Sequence, residues 1–156
     1  IKGRGERHVI ATGGGRFLLI DDSYNANPAS MRAAFDVLGR VKVLPPARRI
    51  AVLGDMRELG EGSQSFHADL AKPLIEQGVD QVFLCGPEMA ALARALPARV
   101  LAAHAPDSAA LAPQVADAVG PGDAVLVKGS LGSRMALVIE ALKALDRVPP
   151  RAANGN

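Results

Sequence analysis

Three short stretches of this sequence concentrate side chains able to do chemistry. They are Asp21-Asp22-Ser23-Tyr24-Asn25-Ala26-Asn27-Pro28, Gly54-Asp55-Met56-Arg57-Glu58-Leu59-Gly60 with His67 beyond it, and Lys128-Gly129-Ser130-Leu131-Gly132-Ser133-Arg134. In the first, a carboxylate can accept hydrogen bonds from ribose hydroxyls, or hold a cation or an ammonium group. Asn25 and Asn27 add amide donors and acceptors beside it, although Asn27, directly before a proline, is also placed to cap a helix. A plainer alternative stands for the aspartates: one caps the turn and the other is solvated. In the third stretch, Lys128 and the backbone N–H groups that open a helix suit an anion. Asp55 and Glu58 lie in a glycine-bounded loop that reads equally as a surface turn with Arg57 balancing its charge. His67 falls inside a helical segment, where a lone histidine is more often a packing residue than a ligand or a base.

Several mechanisms are excluded. No G-x-x-x-x-G-K-[ST] is present, since Gly129 to Arg134 has neither the spacing nor the lysine, and no G-x-G-x-x-G opens a helix after a strand. No His, Cys, Asp and Glu residues have zinc-site spacing, and no serine has the surroundings of a nucleophile elbow. No metal or covalent mechanism confined to this chain is therefore expected. The 18 basic and 16 acidic residues leave a net charge of +2. The arginines are dispersed and do not interleave with aromatics, so nucleic-acid binding is not expected. The single cysteine, Cys85, ends the apolar run Val82-Phe83-Leu84-Cys85 and reads as a buried thiol in a reducing cytoplasm. No run approaches the ~20 apolar residues of a membrane helix, and nothing resembles a signal peptide. The chain begins at Ile1 rather than methionine, which leads us to expect an upstream portion.

Elements that could position the three stretches are legible in the pattern. Hydrophobic residues make up 49% of the chain and aromatics 3%, so its core must be Ala, Val, Leu and Ile, as suits helices on a parallel sheet. Arg16 to Ile20 reads as a buried strand. A helix follows, with Pro28 at its first position and Met31, Ala34, Phe35 and Leu38 on one face. Further strands are expected at 49–53, 81–84, 99–102 and 124–127, alternating with helices over 63–77, 87–96, 108–119 and 133–145. Such alternation predicts a doubly wound α/β domain over residues 1–147, Rossmann-like, with a mainly parallel sheet and helices on both faces. Residues 1–12 are open as a linker or an edge strand, and 148–156 read as an unstructured tail. All three stretches then sit at the carboxyl ends of strands, where open α/β sheets bind ligands.

Gly3-Arg4-Gly5-Glu6, Asp21 through Met31, Leu53 through Gly60 with His67, and Val127-Lys128-Gly129-Ser130, taken together, resemble the Mur ligase family of peptidoglycan synthesis. The D-D-S-Y-N-A-N-P turn and the G-D-M-x-E-L-G loop look like the members that add D-alanyl-D-alanine (D-Ala-D-Ala) to UDP-N-acetylmuramoyl-tripeptide. The resemblance implies three domains, of which this chain is the third, C-terminal one. The N-terminal domain and the central P-loop ATPase domain, with its ATP and Mg²⁺, lie elsewhere. It implies an ATP-dependent amide ligase in the cytoplasm, monomeric as a whole protein, and no catalysis by this domain alone. Arg4 and Asp22 correspond to family residues that contact the nucleotide. Tyr24, Asn25, Asn27, Glu58, His67 and Ser130 are candidates for binding the dipeptide, with no metal ligand among them. A competing possibility is a receiver-type phospho-accepting signalling domain, with Asp21 and Asp22 as its acidic pair, Asp55 as acceptor and Lys128 as its lysine.

Overall fold

In the computed structural model, which describes residues 1–147, six strands form one sheet. They are β1 (Glu6–Thr12), β2 (Gly15–Asp22), β3 (Arg49–Gly54), β4 (Gln81–Cys85), β5 (Leu101–Ala105) and β6 (Ala124–Lys128), lying side by side in the order β1-β2-β6-β3-β4-β5. Only the β1–β2 pairing is antiparallel; β2–β6, β6–β3, β3–β4 and β4–β5 are parallel. The helices are α1 (Pro28–Gly39), α2 (Ser63–Ala68), α3 (Ala71–Glu76), α4 (Ala90–Ala95), α5 (Ser108–Ala118) and α6 (Ala136–Lys143).

Strand pleating sends alternate residues to two cores. Ala51 and Leu53 of β3 join Met31, Phe35, Leu38, Leu74 and Leu92 on the side of α1, α3 and α4. Ile50 and Val52 join Leu111, Val115, Val138 and Leu142 on the side of α5 and α6. Helices therefore cover both faces, as the near-continuous apolar strands required. Because α1 leaves β2 toward one face and α6 leaves β6 toward the other, the connections diverge at the carboxyl ends of β2 and β6. A crevice opens there.

Local departures from the sequence expectation have identifiable causes. Residues 6–12 form an edge strand in full antiparallel register with β2, with Glu6 opposite Asp21. The single helix expected over 63–77 is two helices, divided at Asp69 and Leu70. Pro73 lacks the N–H that would have bonded to the Asp69 carbonyl, and its ring crowds that carbonyl. The helix expected from Pro87 starts at Ala90, because the Ala90 and Ala91 amides close tighter i→i+3 turns on the Pro87 and Glu88 carbonyls, while the Glu88 and Met89 amides, orphaned at a helix start, donate to the Asp55 carboxylate. β5 starts at Leu101 rather than Arg99, since the amides of Val100 and Leu101 both turn back to the Pro97 carbonyl. The last helix begins at Ala136 because Arg134 adopts a left-handed conformation, φ 55°, after a 3₁₀ turn over Leu131–Ser133. The tail expected at 148–156 lies outside the described residues.

Candidate functional site

Asp21 and Asp22, adjacent in sequence, point to opposite faces of β2 and have separate work. Asp21 is buried, and one of its oxygens accepts the Ser23 N–H at 3.2 Å and the Ser23 hydroxyl at 2.6 Å, tying off the turn. Asp22 faces α1. It is the register partner of Lys128 on β6, whose Nζ lies 2.7 Å from Asp22 Oδ2 and donates a second bond to the Asn25 carbonyl at 3.0 Å. The lysine is buried, whereas the Asp22 side chain keeps 22% of its surface exposed.

The amino-terminal segment lies across this turn. The Tyr24 N–H donates to the Gly3 carbonyl at 2.9 Å, and Gly3 holds φ +82°, where a side chain would also press on Ser23 and Tyr24. This places the Arg4 guanidinium over the Tyr24 ring, 4.5 Å from its centroid. Arg4, Asp22, Tyr24, Asn25, Asn27 and Lys128 thus line one open cleft of about 460 Å³, closed on one side by the first turns of α1. Asn27 caps α1: its Oδ1 accepts the Ser30 N–H at 2.8 Å while Ser30 Oγ accepts the Asn27 N–H at 3.0 Å. Asn25 Oδ1 accepts the Ala26 N–H at 2.8 Å, so both asparagine oxygens shape the turn, and neither amide NH₂ group donates a hydrogen bond among the described residues.

The other candidates have different surroundings. His67 has no exposed surface; its Nε2 accepts the Met56 N–H at 3.0 Å and its Nδ1–H donates to the Ser63 carbonyl at 2.7 Å, a tautomer assigned from these partners. It pins the loop after β3 from inside. Ser130 is also buried, its N–H donating to the Asp55 carbonyl and its Oγ paired with Ser133 Oγ at 2.8 Å. Asp55 is 4% exposed and accepts the N–H groups of Glu88 and Met89. Burial raises its carboxyl above the ordinary carboxylate range, against the lowering effect of those two bonds. Any side chain at Gly86 would run into that carboxylate. Glu58 is exposed in a left-handed conformation, φ 60°, at the rim of a separate hollow of about 340 Å³.

Arg57 and Arg134 were not among the residues expected to bind anything. They line a cleft of about 180 Å³ with Asp55, Gly86, Ser108 and Ser133. They are far apart in sequence and meet because β3 and β6 are neighbours, which only the strand order reveals. Cross-strand pairing likewise gathers Glu6, His8 and Asp21, whose ligand atoms lie within 4.8 Å of one another. Both carboxylates there already bond within the fold, to Gly3 and Ser23. The receiver arrangement is not supported, because Lys128 reaches Asp22 rather than Asp55 and both Asp55 oxygens are taken by backbone N–H groups.

Residues 3–131 match the family profile described as "Mur ligase, glutamate ligase domain". The chain belongs to the Mur ligase family. The UDP-N-acetylmuramoyl-tripeptide–D-alanyl-D-alanine ligase of Escherichia coli K12 is 35% identical over 128 residues, which is 81% of this chain and 27% of that enzyme. A crystal structure of MurF from Acinetobacter baumannii superposes with a TM-score of 0.78 at 31% identity, covering 92% of this chain and 31% of that one. MurF ligase from Thermotoga maritima, solved in complex with ADP, superposes with a TM-score of 0.74 at 29% identity, over 93% of this chain and 31% of that one. This Mur ligase chain therefore spans about 30% of the length of the relatives it matches. Among its described residues no helix is long and apolar enough to cross a membrane.

Proposed function

We propose that this chain is the C-terminal domain of an ATP-dependent ligase that joins D-Ala-D-Ala to UDP-N-acetylmuramoyl-tripeptide, and that it closes over the nucleotide held by a central ATPase domain. The observation that carries this reading is the cleft between β2 and β6, where an exposed guanidinium and a partly exposed carboxylate face one space. Arg4 matches phosphate oxygens, and the free oxygen of Asp22 matches a ribose hydroxyl. Asp22 is the one carboxylate lining that cleft, so coordination of Mg²⁺ is left to the central domain.

The nucleotide supplies a phosphoryl group that activates the tripeptide carboxylate for attack by the dipeptide amine. Within this chain, Arg4 orients phosphate, Asp22 orients ribose, and closure excludes water from the activated acyl group. Arg57 and Arg134 face a cleft suited to the dipeptide carboxylate, with Glu58 at the neighbouring rim and the buried His67 and Ser130 holding the loops that carry it. Tyr24, Asn25 and Asn27 border the nucleotide side. The whole protein works as a monomer in the cytoplasm, where Cys85 stays reduced.

The test is ligation with purified components. The full-length protein is expected to release phosphate only when ATP, UDP-N-acetylmuramoyl-tripeptide and D-Ala-D-Ala are all present, and the isolated chain to release none. Turnover by the isolated chain, or a full-length protein without a G-K-[ST] phosphate loop, would overturn the reading.

A further inference from the structure

Lys128 has no assigned role, and its surroundings define one. A buried ammonium is costly unless it is paired and hydrogen-bonded, so its two partners show what the burial achieves. Both belong to the acidic turn: the Asp22 carboxylate at 2.7 Å and the Asn25 carbonyl at 3.0 Å. One bond fixes the carboxylate and the other fixes the backbone three residues on, so a single side chain from β6 sets the shape of the turn on β2. The lysine is itself held firmly. Its backbone pairs across the ladder with Asp22, and Gly129 after it packs so closely on Gly54 that an added Cβ would lie 3.1 Å from the Gly54 backbone.

Lys128 touches Asp22 through Oδ2, and no hydrogen bond to Asp22 Oδ1 is formed among the described residues. The pairing neutralises the carboxylate in part and fixes its rotation, so one oxygen is presented to the cleft before any ligand arrives. We propose that Lys128 is a positioning residue that pre-orients Asp22 for the nucleotide ribose, a role that rests on the nucleotide reading of Asp22 above. Pre-organisation of this kind raises affinity by removing the ordering cost from the binding step. A misaligned Asp22 therefore weakens nucleotide binding and leaves the acceptor side unaffected.

The experiment uses the full-length enzyme and compares wild type with Lys128→Met, Lys128→Arg, Asp22→Asn and the Lys128→Met/Asp22→Asn double variant. For each, KM for ATP, KM for D-Ala-D-Ala, kcat and melting temperature are measured. Loss of a charged, oriented contact predicts that Lys128→Met raises KM for ATP about tenfold, with KM for the dipeptide within about twofold of wild type. Lys128→Arg, which retains the charge, is expected to recover part of that loss, and the melting temperature checks that each variant is folded. In the Asp22→Asn background the Lys128→Met change is expected to add less than about twofold, because the lysine acts through the carboxylate. Unchanged KM for ATP in both lysine variants, or equal fold effects with and without Asp22, would overturn the positioning role. If Asp22→Asn itself leaves KM for ATP unchanged, the nucleotide reading of Asp22 fails, and the inference fails with it. An effect of Asp22→Asn without one of Lys128 sinks the inference alone.

Discussion

His67→Ala separates a structural histidine from a ligand-binding one, and the structure sets the size of the effect. The ring is wholly buried between α2 and the loop after β3, bonded to the Met56 N–H at 3.0 Å and the Ser63 carbonyl at 2.7 Å. Truncation leaves the buried Met56 N–H without an acceptor, which costs about 1–3 kcal/mol. The space left by the ring adds about 2 kcal/mol. A total of about 3–5 kcal/mol is a large share of the about 5–15 kcal/mol that holds an ordinary domain folded. For a chain of this size, at about 2–4 °C per kcal/mol, the melting temperature should fall by about 6–20 °C. Circular dichroism melts of wild type, His67→Ala and His67→Gln provide the assay, with glutamine expected to recover part of the loss because its amide can both accept and donate. A His67→Ala protein that melts within about 2 °C of wild type would refute the structural role, most clearly if the full-length variant also showed a raised KM for D-Ala-D-Ala.

Gly129→Ala places a Cβ 2.7 Å from Met135 Cγ and 3.1 Å from the Gly54 backbone, so overpacking of about 1–3 kcal/mol is expected and should appear as a melt lowered by about 2–12 °C. The raised Asp55 carboxyl carries a definite sign. Below the unfolded value of 3.8 it is protonated in both states, and above that value the unfolded chain ionises more readily than the folded one. Wild type should therefore lose stability relative to Asp55→Asn as pH rises from 3.8 through the folded value, a trend that urea midpoints at pH 4 and pH 7 would show, or contradict if the difference stays constant. Burial, together with Asp55 and Asp107, pushes the Cys85 thiol up to about 12, so iodoacetamide at pH 8 should label it only after denaturation, and rapid labelling of the native protein would contradict the buried position.

Much of the fold was legible because the strands of a parallel sheet are apolar throughout. Ile50 to Leu53 and Val125 to Val127 could hardly be anything else once turn residues followed them. Misplaced boundaries came from local backbone features: Pro73 divides the 63–77 helix, the Pro97 carbonyl holds back β5, and left-handed Arg134 delays the last helix. The helix after Pro87 starts late behind a tight turn closed by the Ala90 and Ala91 amides, and its orphan Glu88 and Met89 amides meet a carboxylate more than thirty residues earlier in the chain, which no local pattern announces. The site was legible in part for the same reason. Asn27 could be recognised as a cap from its neighbours alone, but the different tasks of Asp21 and Asp22 depend on which face each takes once β2 pairs with both β1 and β6. Arg57 and Arg134 were invisible as a pair because strand order, rather than chain order, brings them together. His67 was expected as a packing residue from its helix and as a ligand candidate from its family, and its buried bonds to Met56 and Ser63 account for the packing side.

The proposed role of the cleft between β2 and β6 as half of a nucleotide site depends on Arg4 meeting phosphate. Its most direct test is the dissociation constant of ADP for the full-length protein, measured by titration calorimetry for wild type and Arg4→Ala. Removing a charged group that meets phosphate is expected to weaken ADP at least about tenfold, while the melting temperature stays within about 2 °C because Arg4 is exposed. An Arg4→Ala protein that binds ADP as tightly as wild type would contradict that role.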